Sequence, residues 1–131
     1  MKPQKLRNSK QFRRVYDHGK RFHAPYFSIF FLSNEEAVQR IGITVTRKIG
    51  SAVVRNRCKR RLREIIKQYF PAVTGDCEWE KIGLDMVINV RSSFIDSSFD
   101  ELKKSFSKVV DRYYLSVFDE QQKKAVNEEC E

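Results

Sequence analysis

Residues 48–64, KIGSAVVRNRCKRRLRE, combine dense positive charge with a regular apolar pattern. Seven of these seventeen side chains are basic: Lys48, Arg55, Arg57, Lys59, Arg60, Arg61 and Arg63. At about 100° per residue, one narrow face collects the apolar side chains Val54, Cys58, Leu62, Ile65, Ile66 and Tyr69. The pattern predicts a helix with Ser51 as its N-cap and Pro71 as its stop, and the apolar face requires a core to pack against.

The charges of this helix divide into two sets around the apolar face. One flank carries Arg55, Asn56, Lys59 and Arg63. The other flank and the outward surface carry Arg57, Arg60 and Arg61. Like charges four residues apart repel by roughly a few tenths of a kcal/mol per pair, and Glu64 is the one acid in the stretch. We therefore predict a bound polyanion; the alternative is a solvated charged face.

Length and charge narrow the class of protein further. A chain of 131 residues fits one domain. Residues 1–67 contain 18 Lys and Arg against 4 Asp and Glu, a net +14, whereas residues 68–131 contain 8 against 13, a net −5. Such a basic half favours nucleic acid or an anionic membrane as partner. No apolar run approaches the roughly 18 residues of a membrane span, and residues 1–20 lack a signal-peptide core, so we expect a cytoplasmic protein without a membrane partner.

The cysteines and histidines do not predict a metal site. Cys58, Cys77 and Cys130 are odd in number and lack the paired spacing of zinc ligands or of a disulfide framework. The two histidines, His18 and His23, belong to no ligand motif. We interpret the cysteines as free thiols and expect no metal held by the protein.

Upstream of the basic helix, the sequence predicts a flexible basic arm at residues 1–8, followed by a short helix. Phe12, Val15 and Tyr16 have helical spacing, with Ser9 as the N-cap and Gly19 after the end. The two aromatic rings either close a core edge or offer their faces to unstacked bases. Their spacing alone favours the core.

Two strands are predicted between these helices. Residues 21–32 form the first, with Pro25 at its edge or start. Its alternating side chains form a core face of Phe27, Ile29 and Phe31 and an opposite face of Tyr26, Ser28 and Phe30. Residues 40–46 form the second strand, antiparallel to the first because the connection is short. Ile41, Ile43 and Val45 face the core, while Gly42, Thr44 and Thr46 join the opposite face, which is either a groove floor or an exposed sheet surface.

The second half of the chain supplies a strand, a helix and a tail. We predict a connection at residues 72–82 and a buried strand at residues 84–90, in which Asp85 and Asn89 are the polar interruptions. Ser98 and Glu101 predict a capping box that opens a helix ending at about Tyr114. Its core side chains are Phe99, Leu102, Phe106, Val109, Val110 and Tyr113. The domain therefore spans residues 9–115, and residues 116–131 form an acidic tail.

The order α-β-β-α-β-α predicts an α+β fold in which helices cover one face of a small mixed sheet. The β-α-β unit around the basic helix would cross over right-handed by default. Its basic flank would border a groove whose floor and far wall are formed by Phe12, Tyr16, Tyr26, Ser28, Phe30, Thr44 and Thr46. Cations on one side and rings on the other suit an unpaired RNA strand.

Three segments, SKQFRRVYDHGKR, RIGITVTRKIGSAVVRNRCKRRLRE and DMVINVR, closely resemble the first helix, the strand with its Arg-Asn-Arg helix, and the third main strand of one family. That family is the protein subunit of bacterial ribonuclease P, and the resemblance covers about residues 5–115. It implies a left-handed crossover in place of the default. It also implies a role in a ribonucleoprotein endonuclease, a hydrolase that removes the 5′ leader of precursor tRNA.

In that family the protein has no catalytic residue, and Mg²⁺ is held mainly by the large RNA subunit and the substrate. The implied partners are the catalytic RNA and precursor tRNA, with no protein partner required. The family's cleft positions match Phe12, Tyr16, Phe30 and Thr44. Its basic wall matches Lys48, Arg55, Asn56, Lys59 and Arg63. Tyr16 stands where a second Phe is common and Thr44 where Ser is common, which keeps a ring and a hydroxyl. We further expect the outward set to contact the RNA subunit.

Two other functions fit parts of the sequence. Charge asymmetry alone also permits a general RNA chaperone or a binder of the ribosomal-protein type. A protein-only nuclease would need clustered carboxylates to hold metal ions. The single candidate cluster, Asp96, Asp100 and Glu101, is better explained as acids favoured by the dipole at a helix N-terminus.

Overall fold

Five strands and three α-helices make up the part of the chain that the structure describes. The computed structural model describes residues 4–6, 8–34, 36, 38–72 and 83–129, excepting the side chains of 70–72 and 118–129. The elements in order are β1 (Gln4–Lys5), α1 (Ser9–His18), β2 (Lys20–His23), β3 (Phe27–Asn34), β4 (Gln39–Thr44), α2 (Ala52–Ala72), β5 (Gly83–Val90) and α3 (Phe99–Glu129). Short 3-10 turns, Arg47–Ile49 and Ser92–Phe94, precede α2 and α3.

The strands form one mixed sheet in the order β1-β4-β5-β3-β2. β5 lies at the centre, parallel to β4 and antiparallel to β3, so that Ile88 has Ile43 on one side and Ile29 on the other. β1 pairs in parallel with the outer edge of β4, and β2 pairs antiparallel with β3. The α+β class with a small mixed sheet is confirmed. The left-handed sense that the resemblance implies for the β4-α2-β5 crossover stays a prediction.

The predicted antiparallel direction of the two strands is confirmed for β3 and β4, although they are not neighbours in the sheet. β3 and β4 run in opposite directions, but β5 lies between them and pairs with both. β5 is apolar at almost every position and is buried along nearly its whole length, which suits the centre of a sheet. A short connection therefore fixed the relative direction of β3 and β4 without making them neighbours.

The predicted strand at residues 21–32 is in fact two strands, β2 and β3. The chain turns between them, where the Ala24 N–H donates to the Phe27 carbonyl at 2.9 Å. Pro25 lies in this turn and has no N–H to contribute to a ladder. β2 thus folds back on β3, with Lys20 opposite Phe31.

The large core lies on the face of the sheet covered by α2 and α3. The predicted apolar stripes of both helices pack there, and Leu62, Ile65, Leu102, Phe106 and Val110 are fully buried. The sheet contributes Phe27, Ile29, Phe31, Ile41, Val45, Leu84, Met86, Ile88 and Val90. These side chains confirm the strand faces predicted for the core and hold α2 in a fixed position.

Helix α1 covers part of the opposite face, so the prediction that helices cover only one face is wrong. A smaller cluster of Leu6, Val15 and Val87 forms beneath α1. Leu6 belongs to the predicted flexible arm, of which Gln4–Lys5 forms β1, while residues 1–3 and 7 lie outside the described residues. α1 is therefore attached to the sheet by its own apolar contacts.

The helix ends follow capping chemistry, with two differences from the sequence. The N-cap of α1 is Asn8 rather than Ser9: its side chain accepts from the Gln11 N–H at 2.9 Å, and the Gln11 side chain accepts from the Asn8 N–H. Ser51 and Ser98 accept from the third residue of α2 and α3, as predicted. α3 continues to Glu129, well beyond Tyr114, because residues 115–129 contain neither Gly nor Pro.

Gly19 follows the end of α1 where the chain passes close to the backbone of β3, and its own backbone is not left-handed. A Cβ at this position would lie 2.9 Å from the Phe31 carbonyl oxygen. The predicted connection at residues 72–82 lies outside the described residues after Ala72. Over the residues that the structure describes, no helix contains an apolar stretch long enough to cross a membrane.

Candidate nucleic-acid interface

Helix α1 forms one wall of a cleft on the smaller face of the sheet. Val15 is fully buried against the sheet, and this contact places Phe12 and Tyr16, three residues before and one after it, along the margins of the helix. Phe12 is half-buried, whereas Tyr16 is 37% exposed. The placement combines the two alternatives left open by the sequence, because the rings contact the sheet side of the molecule and neither is fully buried.

Gly42 allows the Phe12 ring to lie directly against the sheet. A Cβ at Gly42 would lie 2.5 Å from two atoms of the Phe12 ring and 3.1 Å from the Leu6 side chain. Any larger residue would therefore displace the ring. Close approach, rather than backbone conformation, is the reason for glycine at this position.

Tyr16 connects α1 to the floor of the cleft. Its ring meets the Phe30 ring edge to face, with centroids 4.9 Å apart. Its hydroxyl donates to Asn89 Oδ1 at 2.8 Å and lies 3.4 Å from the Thr44 hydroxyl. Three strands thus contribute floor residues around one tyrosine.

Helix α2 packs on the opposite face of the sheet, and its cations border the cleft at the sheet edge as a second wall. A cavity of about 400 Å³ lies at the outer edge of β4, between α1 and α2. It is lined by Gln4, Lys5, Leu6, Phe12, Ile41, Gly42, Ile43, Lys59, Arg63, Ile66 and Lys67. The cavity therefore has an apolar floor with three α2 cations, Lys59, Arg63 and Lys67, along one side.

The positive charge of this wall is not neutralised within the part of the chain that the structure describes. No carboxylate there forms an ion pair with Lys59, Arg63 or Lys67. Glu64, the acid nearest in sequence, instead accepts a hydrogen bond from Gln68 at 3.3 Å. Arg55 is half-buried, and its Nε is a buried donor without a hydrogen-bond partner among the described residues. An anion at this wall would relieve the repulsion among its cations.

The outward set differs from the prediction at one residue. Arg57 and Arg60 are exposed. Asn56 and Lys48, which the sequence places on the basic wall, are exposed as well, and neither lines the cavity. Arg61 instead donates from its guanidinium to the Ser97 carbonyl at 2.9 Å and lies 5.8 Å from the centroid of the Phe94 ring. Its position as an outward side chain was predicted wrongly, because the turn before α3 packs against that flank of α2.

Three predicted floor residues also have other surroundings. Ser28 is buried, and its hydroxyl accepts from Arg91 at 3.0 Å. Thr46 is exposed beyond the end of β4. Tyr26 packs against the large core, and its hydroxyl donates to Glu101 at 3.4 Å, so the prediction that placed it on the cleft face is wrong. Tyr26 precedes β3, and strand alternation does not extend through the turn.

Sequence reasoning missed two residues that border the cleft. Asn89 was recognised as a polar interruption of an apolar strand, but its contact with Tyr16 was not predicted. The Arg21 guanidinium lies 5.5 Å from the centroid of the Phe30 ring. Both residues could have been found from the sequence, because each is a polar residue at a strand position whose side chain alternates toward the cleft face.

Neither thiol nor metal chemistry is indicated near the cleft. Burial raises the pKa of the Cys58 thiol, although the charges of Arg61 and Arg57 lower it, and this cysteine is free. Among the described residues, no group of three or more His, Cys, Asp or Glu side chains could hold a metal ion. Asp96, Asp100 and Glu101 accordingly form no such group.

Most of the chain, including both walls of the cleft, is similar to known proteins. The family described as Ribonuclease P matches residues 1–114. A ribonuclease P protein component of Clostridioides difficile is 35% identical over 112 residues, covering 86% of this chain and 93% of the relative. Another from Finegoldia magna is 37% identical over 101 residues, covering 77% and 82%.

Solved structures agree in fold. The RNase P protein of Thermotoga maritima superposes with a TM-score of 0.70 at 26% identity, covering 83% of this chain and 96% of that one. The RNase P protein of Staphylococcus aureus gives a TM-score of 0.70 at 24% identity, covering 86% and 96%. Because the family match spans residues 1–114 and the relatives are matched over most of their length, the chain belongs to the ribonuclease P family, as a protein component of this tRNA-processing ribonucleoprotein.

Proposed function

We propose that this protein binds the single-stranded 5′ leader of precursor tRNA in the cleft between α1 and α2. In doing so it assists the Mg²⁺-dependent removal of the leader by the ribonucleoprotein. The observation that carries the proposal is that one cavity is lined both by uncompensated cations on α2 and by the half-buried Phe12 ring of α1, with the rings of Tyr16 and Phe30 farther along the same face of the sheet. A single strand of RNA offers both of the groups that such walls bind, phosphates and unstacked bases.

The two walls have different tasks in this proposal. Lys59, Arg63 and Lys67 follow one another at i, i+4 spacing, which suits successive phosphates of an extended strand. Phe12 and Tyr16 provide stacking surfaces, each worth about 1–3 kcal/mol per base. Because stacking and phosphate contacts tolerate any base, the cleft would accept leaders of many sequences.

The exposed side of α2 would contact the catalytic RNA subunit. Arg57, Arg60, Asn56 and Lys48 are exposed and remain available for phosphate contacts. Arg61 is removed from this set because its guanidinium is held by the turn before α3. The division of labour is thus a cleft wall for the leader and an outer surface for the RNA subunit.

The chemical step would belong to the RNA subunit and the Mg²⁺ that it holds with the substrate. The described carboxylates do not cluster into a metal site, so no part of the proposal passes through a metal held by this chain. The protein would act through binding and position: it would increase the affinity for precursor tRNA and place the leader beside the RNA's active site.

The experiment is to reconstitute the holoenzyme with its cognate RNA and measure its affinity for precursor and mature tRNA. We expect the wild type to bind precursor tRNA more tightly, and Phe12→Ala to remove most of that difference. Leu115→Ala, at a residue 58% exposed on α3, is the matched control and should leave the difference intact. Equal affinity for precursor and mature tRNA in the wild type would contradict the proposal.

The uncompensated charge of α2 also favours a second function, general binding of single-stranded RNA. Competition separates the two functions. If an unrelated single strand displaces precursor tRNA from the holoenzyme as well as a second precursor tRNA does, the general function is the better description.

A further inference from the structure

The two apolar clusters of the domain approach each other at the outer edge of β4. β1 pairs with Arg40 and Ile41 there, and the Leu6 N–H donates to the Ile41 carbonyl at 3.1 Å. Farther along β4 the edge borders the cavity of about 400 Å³ between α1 and α2. The cavity therefore lies where the sheet ends and where apolar side chains from both of its faces reach the surface.

The floor of this cavity is mainly aliphatic. Ile41 and Ile66 line it from the large core, and Leu6 lines it from the smaller cluster beneath α1. Ile43 also lines it and is half-buried. Aliphatic side chains offer neither donors nor acceptors, so a base inserted among them would leave its polar edge without partners. An alkyl chain has no polar groups and would lose nothing there.

The rim of the cavity carries charge of one sign. Lys59, Arg63 and Lys67 line it from α2, and Lys5 lines it from β1. Within the part of the chain that the structure describes, none of the four forms an ion pair with a carboxylate, and no acid lines the cavity. A ligand that fits both the floor and the rim has an apolar body and an anionic head.

We propose that this cavity binds a single-chain alkyl carboxylate, the anion of a medium-chain fatty acid. The alkyl chain fills the space between the two apolar clusters, and the carboxylate lies against the cations of α2. A guanidinium such as that of Arg63 presents paired N–H groups that match the two oxygens of a carboxylate. The volume of the cavity lies within the range of about 300–1,000 Å³ that small-molecule sites occupy.

The proposal does not require that the cleft binds the leader, but the two ligands would share cations. Lys59 and Arg63 belong to the wall proposed above for the phosphates of the leader. A bound carboxylate would neutralise part of that wall. Alkyl carboxylates would therefore compete with precursor tRNA and leave mature tRNA, which has no leader, unaffected.

The test is calorimetric titration of the full chain, without RNA, with octanoate, decanoate and dodecanoate below their micelle concentrations. We expect saturable binding at one site, with affinity rising about threefold for each added methylene until the chain fills the cavity. Butyrate presents the head group without the chain, and decyltrimethylammonium presents the chain with the opposite charge. Neither should bind measurably.

Two pairs of variants locate the site. Ile43→Thr places a hydroxyl on the floor with little change in shape and should weaken decanoate binding by about fivefold or more. Ile95→Thr, at a partly buried isoleucine that does not line the cavity, is its control and should leave the affinity unchanged. Lys59→Gln combined with Arg63→Gln should cost about fivefold, whereas Arg60→Gln, on the outer side of α2, should cost nothing.

Three results would overturn the proposal: no saturable binding of decanoate, equal binding of decanoate and butyrate, or equal binding of decanoate and decyltrimethylammonium. Wild-type affinity in Ile43→Thr would place the ligand elsewhere and overturn it as well. In the reconstituted holoenzyme, decanoate should lower the affinity for precursor tRNA alone. If decanoate binds at the cavity without this competition, the alkyl site stands and Lys59 and Arg63 do not belong to the leader wall.

Discussion

The two faces of the sheet are built from alternate residues of the same strands, yet they differ in what they leave exposed. On the side of α2 and α3, β5 presents Leu84, Met86, Ile88 and Val90, all buried. On the side of α1 it presents Asp85, Val87 and Asn89. The first face is filled by helices, whereas the second keeps rings, hydroxyls and an amide within reach of solvent. Strand parity therefore separates the side chains of the large core from those of the proposed binding cleft.

Adjacent residues of β3 test this separation most strongly. Phe31 is buried, with its ring stacked on Tyr113 at 4.3 Å, whereas Phe30 is half-buried beside Tyr16. We expect Phe31→Ala to lower the free energy of unfolding by about 4 kcal/mol, since it leaves a cavity in the large core. Phe30→Ala should cost less stability and more leader affinity. Denaturant unfolding and precursor-tRNA binding measure the two quantities, and equal unfolding effects would break the comparison.

The smaller face also contains a charge pair that contributes to stability. The comparison is therefore limited, because stability does not depend on the larger face alone. Arg40 donates to both carboxylate oxygens of Asp85, at 2.8 and 3.1 Å, and the hydrogen bond to Asp85 raises the pKa of Arg40. Arg40→Met would leave the buried Asp85 without its cation, so we expect a loss of about 3 kcal/mol in unfolding free energy.

Glu36→Gln is the control for this pair. Glu36 contacts the same guanidinium at 3.3 Å, but its side chain is 64% exposed, so its loss should cost less than about 0.5 kcal/mol. Similar losses for the two variants would mean that burial does not decide the strength of these contacts.

Gly42 tests whether the position of a ring on the smaller face matters for binding. Gly42→Ala places a methyl group against the Phe12 ring and should displace it. We expect leader affinity to fall by about 1–3 kcal/mol, the value of one stacked base, with affinity for mature tRNA unchanged. Phe12→Ala in the same background should then add little. Additive losses would show that the two substitutions act independently.

The smallest expected effect separates the two sides of α2. Arg63 lines the cavity, whereas Arg60 is exposed and does not. We expect Arg63→Gln to reduce the salt dependence of the leader's contribution to affinity by about 0.7 in log–log slope, as for one phosphate contact of a single strand. Arg60→Gln should leave that contribution unchanged and weaken assembly with the RNA subunit. Identical effects in both assays would erase the distinction between wall and outer surface.

Periodicity in the sequence was sufficient to predict which apolar side chains pack in the core. The stripe of α2, the core residues of α3 and the inward residues of β3 and β4 all lie where their spacing predicts. The reason is physical: within a regular element, side-chain direction follows from residue number. The aromatic and basic sides of the cleft came from the same reasoning, and they remain predictions as binding residues.

Contacts between residues far apart in the sequence could not be predicted from the spacing of residue types. Nothing local to β5 states that it inserts between β3 and β4, and the contact of Tyr16 with Asn89 joins residues 73 positions apart. The sequence predicts Arg61 as an outward cation, because residue spacing does not show that the turn before α3 packs beside it. Tyr26 was misassigned because parity was extended through a turn. Each error concerns how elements meet rather than what they are.

The burial of Leu6 has a consequence for the order in which the molecule can be assembled on the ribosome. Residues 4–6 line the cleft cavity, but Leu6 packs on Val15 and on Val87, which is synthesised some eighty residues later. Gln4–Lys5 likewise awaits β4 before it can pair. Residues 4–6 must therefore remain unattached to the sheet until β4 and β5 have emerged. The cavity lined by residues 4–6 is completed only when the central strand is in place.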